Sequence, residues 1–188
     1  MVPQLVNVFD ARGGAALADA LRGSRTIESL TLRIPGFWDV HEAAAALLEA
    51  LTLHPTLRSF WLSCTAGEHR RAAAGAAIAA LVAADSPALT TLNMFNCGLG
   101  DAGLAPIFEA LPRNTHLLEL SLRMNDMTAE FVQQRMIPAV TANTSLRVLG
   151  VFEIGEDADF VSPLLRQAVQ IVKARRGVLG TGAAAGSP

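Results

Sequence analysis

Residues 89–114 read LTTLNMFNCGLGDAGLAPIFEALPRN, and two different periods meet inside them. Leu89, Leu92 and Met94 alternate with Thr91 and Asn93, the period of two that marks a half-buried strand. Past a glycine-containing turn, Leu104, Ile107, Phe108 and Leu111 fall on one face at helical spacing. The one-four-six triplet that opens this stretch recurs as Ile27-Leu30-Leu32, Leu57-Phe60-Leu62, Leu117-Leu120-Leu122 and Leu146-Leu149-Val151. Successive triplets begin 30, 32, 28 and 29 residues apart, a spacing that chance alternation does not keep. A strand, a helix and a return to the next parallel strand at this period predicts an α/β solenoid. Its strands line the concave face and its helices the convex face, in about five to six repeats.

The helical stretches support the same reading. Leu47, Leu48 and Leu51 form a stripe in one unit, and Ile78, Leu81 and Val82 in the next. Phe131, Val132, Met136 and Val140 form another. The last helix is expected to start with Ser162 as N-cap and Pro163 as its first residue. Residues 1–24 read as a degenerate first repeat, with a strand candidate from Leu5 to Phe9, inside a solenoid domain spanning 1–176. Residues 177–188, GVLGTGAAAGSP, have the composition of a flexible tail. No polar cap is recognisable at the N-terminal end, which leaves the first strand as an edge open to pairing.

The 89–114 unit resembles the long leucine-rich repeat of the ribonuclease-inhibitor class. That family carries Asn or Cys at the ninth position, an apolar residue at the eleventh and Gly at the fifteenth. Cys97, Leu99 and Gly103 stand in those places here. The following unit has Asn125 and Met127, but Phe131 replaces the glycine. Pro35 and Thr65 take the ninth place in two earlier units, which depart further from the pattern. The resemblance covers residues 25–175, and it implies a mode of protein binding without choosing a partner.

Composition narrows the function. A chain of 188 residues, 51% hydrophobic and 17% charged, is long and apolar enough for a packed core. With 15 basic against 17 acidic residues there is no broad field for nucleic acid. No apolar run reaches the roughly 18 residues a membrane span needs. No signal peptide is evident, and two cysteines are too few for a disulfide scaffold, so a cytoplasmic or other reducing compartment is expected.

The residues that invite chemistry have simpler explanations. Cys64 with His69, or Cys97 with His116, would make a thiolate pair, but neither has an orienting third group. Cys97 sits at the family's inward ninth position, and Cys64 is expected partly exposed at a strand end. His41, His54, His69 and His116 are scattered and read as solvated. GLGDAG around Asp101 lacks the Lys and Ser/Thr of a phosphate loop. Glu153, Glu156, Asp157 and Asp159 lack the central glycine of a calcium loop. Arg175 and Arg176 are expected to complement the dipole of the last helix. No catalytic residue, metal or cofactor is expected.

Strand alternation then singles out a surface. Side chains between the triplet positions point away from the helices. Trp61 and Phe95 should lie on neighbouring strands, with Asn93 beside Trp61 and Arg123 one strand beyond Phe95. Phe152 adds a further aromatic, and Phe37 and Trp38 extend the patch along a rim. Exposed Trp flanked by Phe and Arg has the composition of an interface hot spot. The expected function is therefore non-catalytic protein recognition through Arg33, Trp61, Asn93, Phe95, Glu119, Arg123 and Phe152. The alternative is a structural subunit embedded in a larger assembly through the uncapped N-terminal edge.

Overall fold

The computed structural model describes residues 10–64, 70–152 and 158–180, with residues 158–160 and 176–180 as backbone only. Strand and helix alternate along the chain. Helix α1 (Ala11–Gly23) leads into β1 (Ser29–Arg33), a 3-10 turn at Phe37–Asp39 and α2 (His41–Leu51). β2 (Ser59–Ser63), α3 (Arg71–Ala83), β3 (Thr91–Phe95) and α4 (Gly100–Ala110) follow. Then come β4 (Glu119–Ser121), α5 (Ala129–Phe131), a π-helical turn at Val132–Met136 and α6 (Ile137–Ala142). The last elements are β5 (Val148–Gly150) and α7 (Ala158–Gly180).

Among the described residues the sheet has five parallel strands in chain order, each paired with the next. Leu30, Phe60, Leu92, Leu120 and Leu149 stand in one register row, so every repeat delivers the same position to the core. The triplets Leu57-Phe60-Leu62, Leu89-Leu92-Met94 and Leu117-Leu120-Leu122 are buried, as are the helical stripes named above. Parallel neighbours joined through helices give the expected α/β solenoid, with its apolar layer between sheet and helices.

A polar ladder runs along the helix-to-strand turns. Ser24, His54, Ser86, Asn114 and Asn143 each precede a triplet by three residues. Asn114 donates to the Val82 carbonyl at 2.8 Å and accepts from the Leu117 N–H at 2.8 Å. Asn143 donates to the carbonyls of Leu111 and Asn114, both at 2.8 Å, and accepts from the Leu146 N–H. Both asparagines therefore tie their own turn to the preceding repeat and satisfy backbone groups the helix end leaves open, whereas Ser24 accepts only within its own turn, from the Ile27 N–H at 3.4 Å.

His54 belongs to this ladder and corrects the expectation that it is solvated. It is 4% exposed, with Nδ1 accepting from the Leu57 N–H at 3.2 Å. The proton then resides on Nε2, which donates to the Leu21 carbonyl at 3.1 Å. His41 is exposed, while His116 is half-buried against Asp85.

Other expectations change as well. Phe37 and Trp38 are buried rather than on a rim. Gly36, at φ +70°, turns the chain so that both rings fold inward, edge to face at 4.8 Å. Cys64 is 4% exposed, not partly open. Ser162 is not an N-cap, because α7 already runs from Ala158 and its buried stripe, Val161, Leu165, Ala168 and Val172, starts before it. Pro163 lies on the exposed side of that helix, where the hydrogen bond it cannot donate is missed least.

Arg175 likewise is not in a last turn, since α7 continues to Gly180. It donates instead to the carbonyls of Val140 and Thr141, capping α6. Burial, then the nearby Arg147 charge, lowers its pKa. Residues 177–180 of the expected tail are thus helical. The rest of that tail and the strand candidate from Leu5 to Phe9 lie outside the described residues.

Candidate partner interface

The sheet face turned away from the helices is built from the alternate strand positions. One register row is Thr31, Trp61, Asn93, Ser121 and Gly150, which puts Asn93 directly beside Trp61. A second row is Arg33, Ser63 and Phe95. Arg33, Trp61, Ser63, Asn93, Phe95 and Arg123 line one cavity of about 410 Å³. Five of the seven residues singled out in the sequence thus come together at one place.

The other two sit apart. Glu119 pairs with Thr91 and Val148 at the opposite end of its strand, outside the lining. Phe152 is 40% exposed and joins the cavity only through Arg123, whose guanidinium lies 5.7 Å from its ring centre.

Two cation–ring contacts shape the site. Arg33 lies over Trp61 at 4.6 Å, mirroring the contact of Arg123 with Phe152. Such contacts are worth about 0.5–1 kcal/mol at exposed sites, and they also hold each guanidinium in one orientation. Neither arginine has a carboxylate within ion-pair distance among the described residues. Arg22, Arg58, Arg71 and Arg135 each do. Among the described residues the cavity therefore carries two positive charges without an ion-pair partner and no acid in its lining.

Gly150 is a site residue the sequence reading passed over. A Cβ there would stand 3.0 Å from Ser121 Oγ and 3.2 Å from Arg123 Nε. The missing side chain leaves the slot through which Arg123 reaches Phe152. The signal was a glycine at an outward strand position beside a long cation. Asn93 Oδ1, of the cavity lining, and Ser121 Oγ, on the next strand, are covered yet have no hydrogen-bond partner among the described residues. They occupy adjacent register positions, so two unsatisfied polar atoms sit side by side. Each such atom costs about 1–3 kcal/mol until a partner arrives.

The groups considered for chemistry are committed to structure. Cys97 Sγ donates to the Leu62 carbonyl at 3.5 Å, and its N–H is held by Asn125 Oδ1 at 3.1 Å. A hydrogen bond with Cys64, then burial, pushes the Cys97 pKa up, which opposes thiolate formation. Asp101 of GLGDAG accepts from the Thr128 N–H at 3.0 Å and from its hydroxyl at 2.6 Å. No three His, Cys, Asp or Glu side chains cluster to hold a metal among the described residues. None of the described helices is long and apolar enough to cross a membrane. His69, Glu153, Glu156 and Asp157 lie outside the described residues, as does the Asp159 side chain.

Residues 85–108 and 113–130 match the family model described as Leucine Rich repeat. These segments contain the two units whose ninth positions are Cys97 and Asn125. Leiomodin-1 actin-binding site 2 is a similar solved structure, with 21% identity and a TM-score of 0.62. The match covers 88% of this chain and 93% of that one. The tropomodulin C-terminal domain from Caenorhabditis elegans is similar at 21% identity and a TM-score of 0.58, covering 89% of this chain and 99% of that one. No curated protein matches this chain. At these identities the likeness is one of fold, and the fold is a leucine-rich-repeat solenoid.

Proposed function

We propose that this chain is a non-catalytic protein-recognition module, built from repeats of the ribonuclease-inhibitor-like class, that binds its partner through the concave face of the sheet. The observation that carries the reading is the convergence of Arg33, Trp61, Asn93, Phe95 and Arg123 on one cavity. Aromatic walls supply apolar area, while the two guanidiniums, without an ion-pair partner among the described residues, supply charge that a partner can neutralise. Phe152 extends the surface behind Arg123, and Glu119 contributes to orientation from the far end of β4.

The test is a quantitative pull-down comparing the wild type with a Trp61→Ala/Phe95→Ala double variant. Capture of a partner by the wild type alone supports the reading. Equal capture by both moves the interface to the helical face or the N-terminal edge, which favours a permanent assembly subunit. Because one structurally similar domain is an actin-binding site of leiomodin-1, purified actin is a sensible first defined probe in the same comparison.

A further inference from the structure

Resting on that reading, we propose that the occupant of the cavity is an extended acidic segment with carboxylates at residues i and i+4 and an apolar side chain at i+2. The spacing follows from the sheet. Arg33 belongs to β1 and Arg123 follows β4, so three strand-to-strand steps separate their chains. Adjacent strands lie about 4.8 Å apart, which sets the two positive walls roughly 14 Å from one another at the backbone.

An extended peptide rises about 3.3 Å per residue and presents i, i+2 and i+4 on one face. Four residues therefore span about 13 Å, close to the separation of the walls. A carboxylate at each end meets one guanidinium, and the residue between them faces Trp61 and Phe95. The arginines suit this task because their rings already hold them, so little orientational freedom is lost on pairing. The cavity volume of about 410 Å³ is enough for a few side chains and too small for a folded domain.

The choice of an acidic occupant rests on charge. The chain as a whole has formal net charge −2, yet among the described residues this cavity is lined by two cations and no anion. A basic or neutral segment would leave both guanidiniums without a counter-charge when it excluded water. An acidic one neutralises them as they are covered.

The test uses the full chain, ¹⁵N-labelled, with the capped peptide Glu-Ser-Leu-Ser-Glu as probe and Gln-Ser-Leu-Ser-Gln as its neutral counterpart. The expected result is saturable shifts of the Arg33 and Arg123 Nε–H and the Trp61 indole signals, at least ten-fold weaker for the neutral peptide. Arg33→Gln/Arg123→Gln should remove that preference while the rest of the spectrum is unchanged. Equal binding of the two peptides overturns the proposal, as does tighter binding of Glu-Glu-Leu-Ser-Ser, which breaks the spacing. Preferential binding of inorganic phosphate at the same signals also overturns it. If the Trp61/Phe95 variant loses its native partner while the peptides show no charge preference, concave-face recognition stands and the acidic occupant falls. If the native partner is retained by that variant, the broader reading falls with it.

Discussion

The seam between α3 and α4 and the seam between α4 and α5 come from consecutive repeats, and they are packed in opposite ways. In the first, the backbones touch: a Cβ on Gly75 would lie 1.9 Å from the Gly103 carbonyl oxygen, and one on Gly103 2.7 Å from that of Arg71. In the second, the place of Gly103 is taken by Phe131, whose ring meets Phe108 edge-on at 5.7 Å. The π-helical turn at Val132–Met136 follows at once, and a cavity of about 330 Å³ opens beside it, lined in part by Ala105, Phe108, Pro138 and Ala139. The sheet keeps its parallel register beneath both seams. One residue per repeat thus sets helix spacing without disturbing the strand face that carries the candidate interface.

The largest effect expected from breaking this contrast is at Gly75→Ala. Overpacking usually costs about 1–3 kcal/mol, but the atom met here is backbone and cannot rotate away. A loss above about 3 kcal/mol is expected, lowering Tm by roughly 10 °C in a chain of this size. A thermal melt that matched the wild type would show that the helices do not touch at this point. Next comes Phe131→Ala, with a loss of about 3 kcal/mol in denaturant titration. It sits at the low end for a buried phenylalanine because the adjoining cavity lets neighbours relax. A loss below 1 kcal/mol, measured the same way, would mean that the wide seam does not depend on its aromatic pair.

A smaller loss is expected where each seam ends in a turn. Asn143 is fully buried and bridges the turn after α6 to Leu111 and Asn114. Asn143→Ala should cost about 2 kcal/mol, because it strands the Leu146 N–H and leaves the carbonyls of Leu111 and Asn114 with one donor fewer, the Asn114 N–H and the Ser145 hydroxyl remaining to them. Faster amide exchange at Leu146 is the local readout. An unchanged exchange rate would assign the loss to packing alone.

What the sequence made legible follows from where each residue's structure is decided. The triplets were readable because period-two alternation depends only on which face is buried, and register then brought Asn93 beside Trp61. Phe37 and Trp38 were misplaced because a short turn has no period to read. The ladder is hard to read because its side chains differ, while Ser24, His54, Asn114 and Asn143 share the role of accepting from the N–H three residues on. Reading the third residue before every triplet would have exposed a run of small polar or imidazole side chains. Gly75 lay hidden in an alanine-rich helix, and its need for a missing Cβ appears only against Gly103 of the next repeat. Gly150 is the same case at the interface, since its meaning depends on where Arg123 goes.

The smallest predicted effect separates the two seams by charge. At the turn after α3, Asp85 accepts from the Thr115 N–H at 2.8 Å and the Thr115 hydroxyl at 2.7 Å, and lies 3.0 Å from His116 Nδ1. Burial pushes its pKa up, but the bonds from Thr115 and the His116 contact outweigh that and leave it below the ordinary 3.8. The folded chain then holds the proton less readily than the unfolded chain. The stabilisation is present above about pH 4, and it is lost as pH falls from there through the lowered folded value. The corresponding turn of the wide seam relies on Asn143, which does not titrate in this range. Acidification should therefore speed amide exchange at Thr115 and His116 before it does so at Leu146. Asp85→Asn keeps a side chain that tolerates the local φ of +49° and should flatten the acid dependence of the denaturation midpoint. If both turns loosened together, the close seam would owe nothing to this carboxylate, and the contrast between the two would reduce to glycine against phenylalanine.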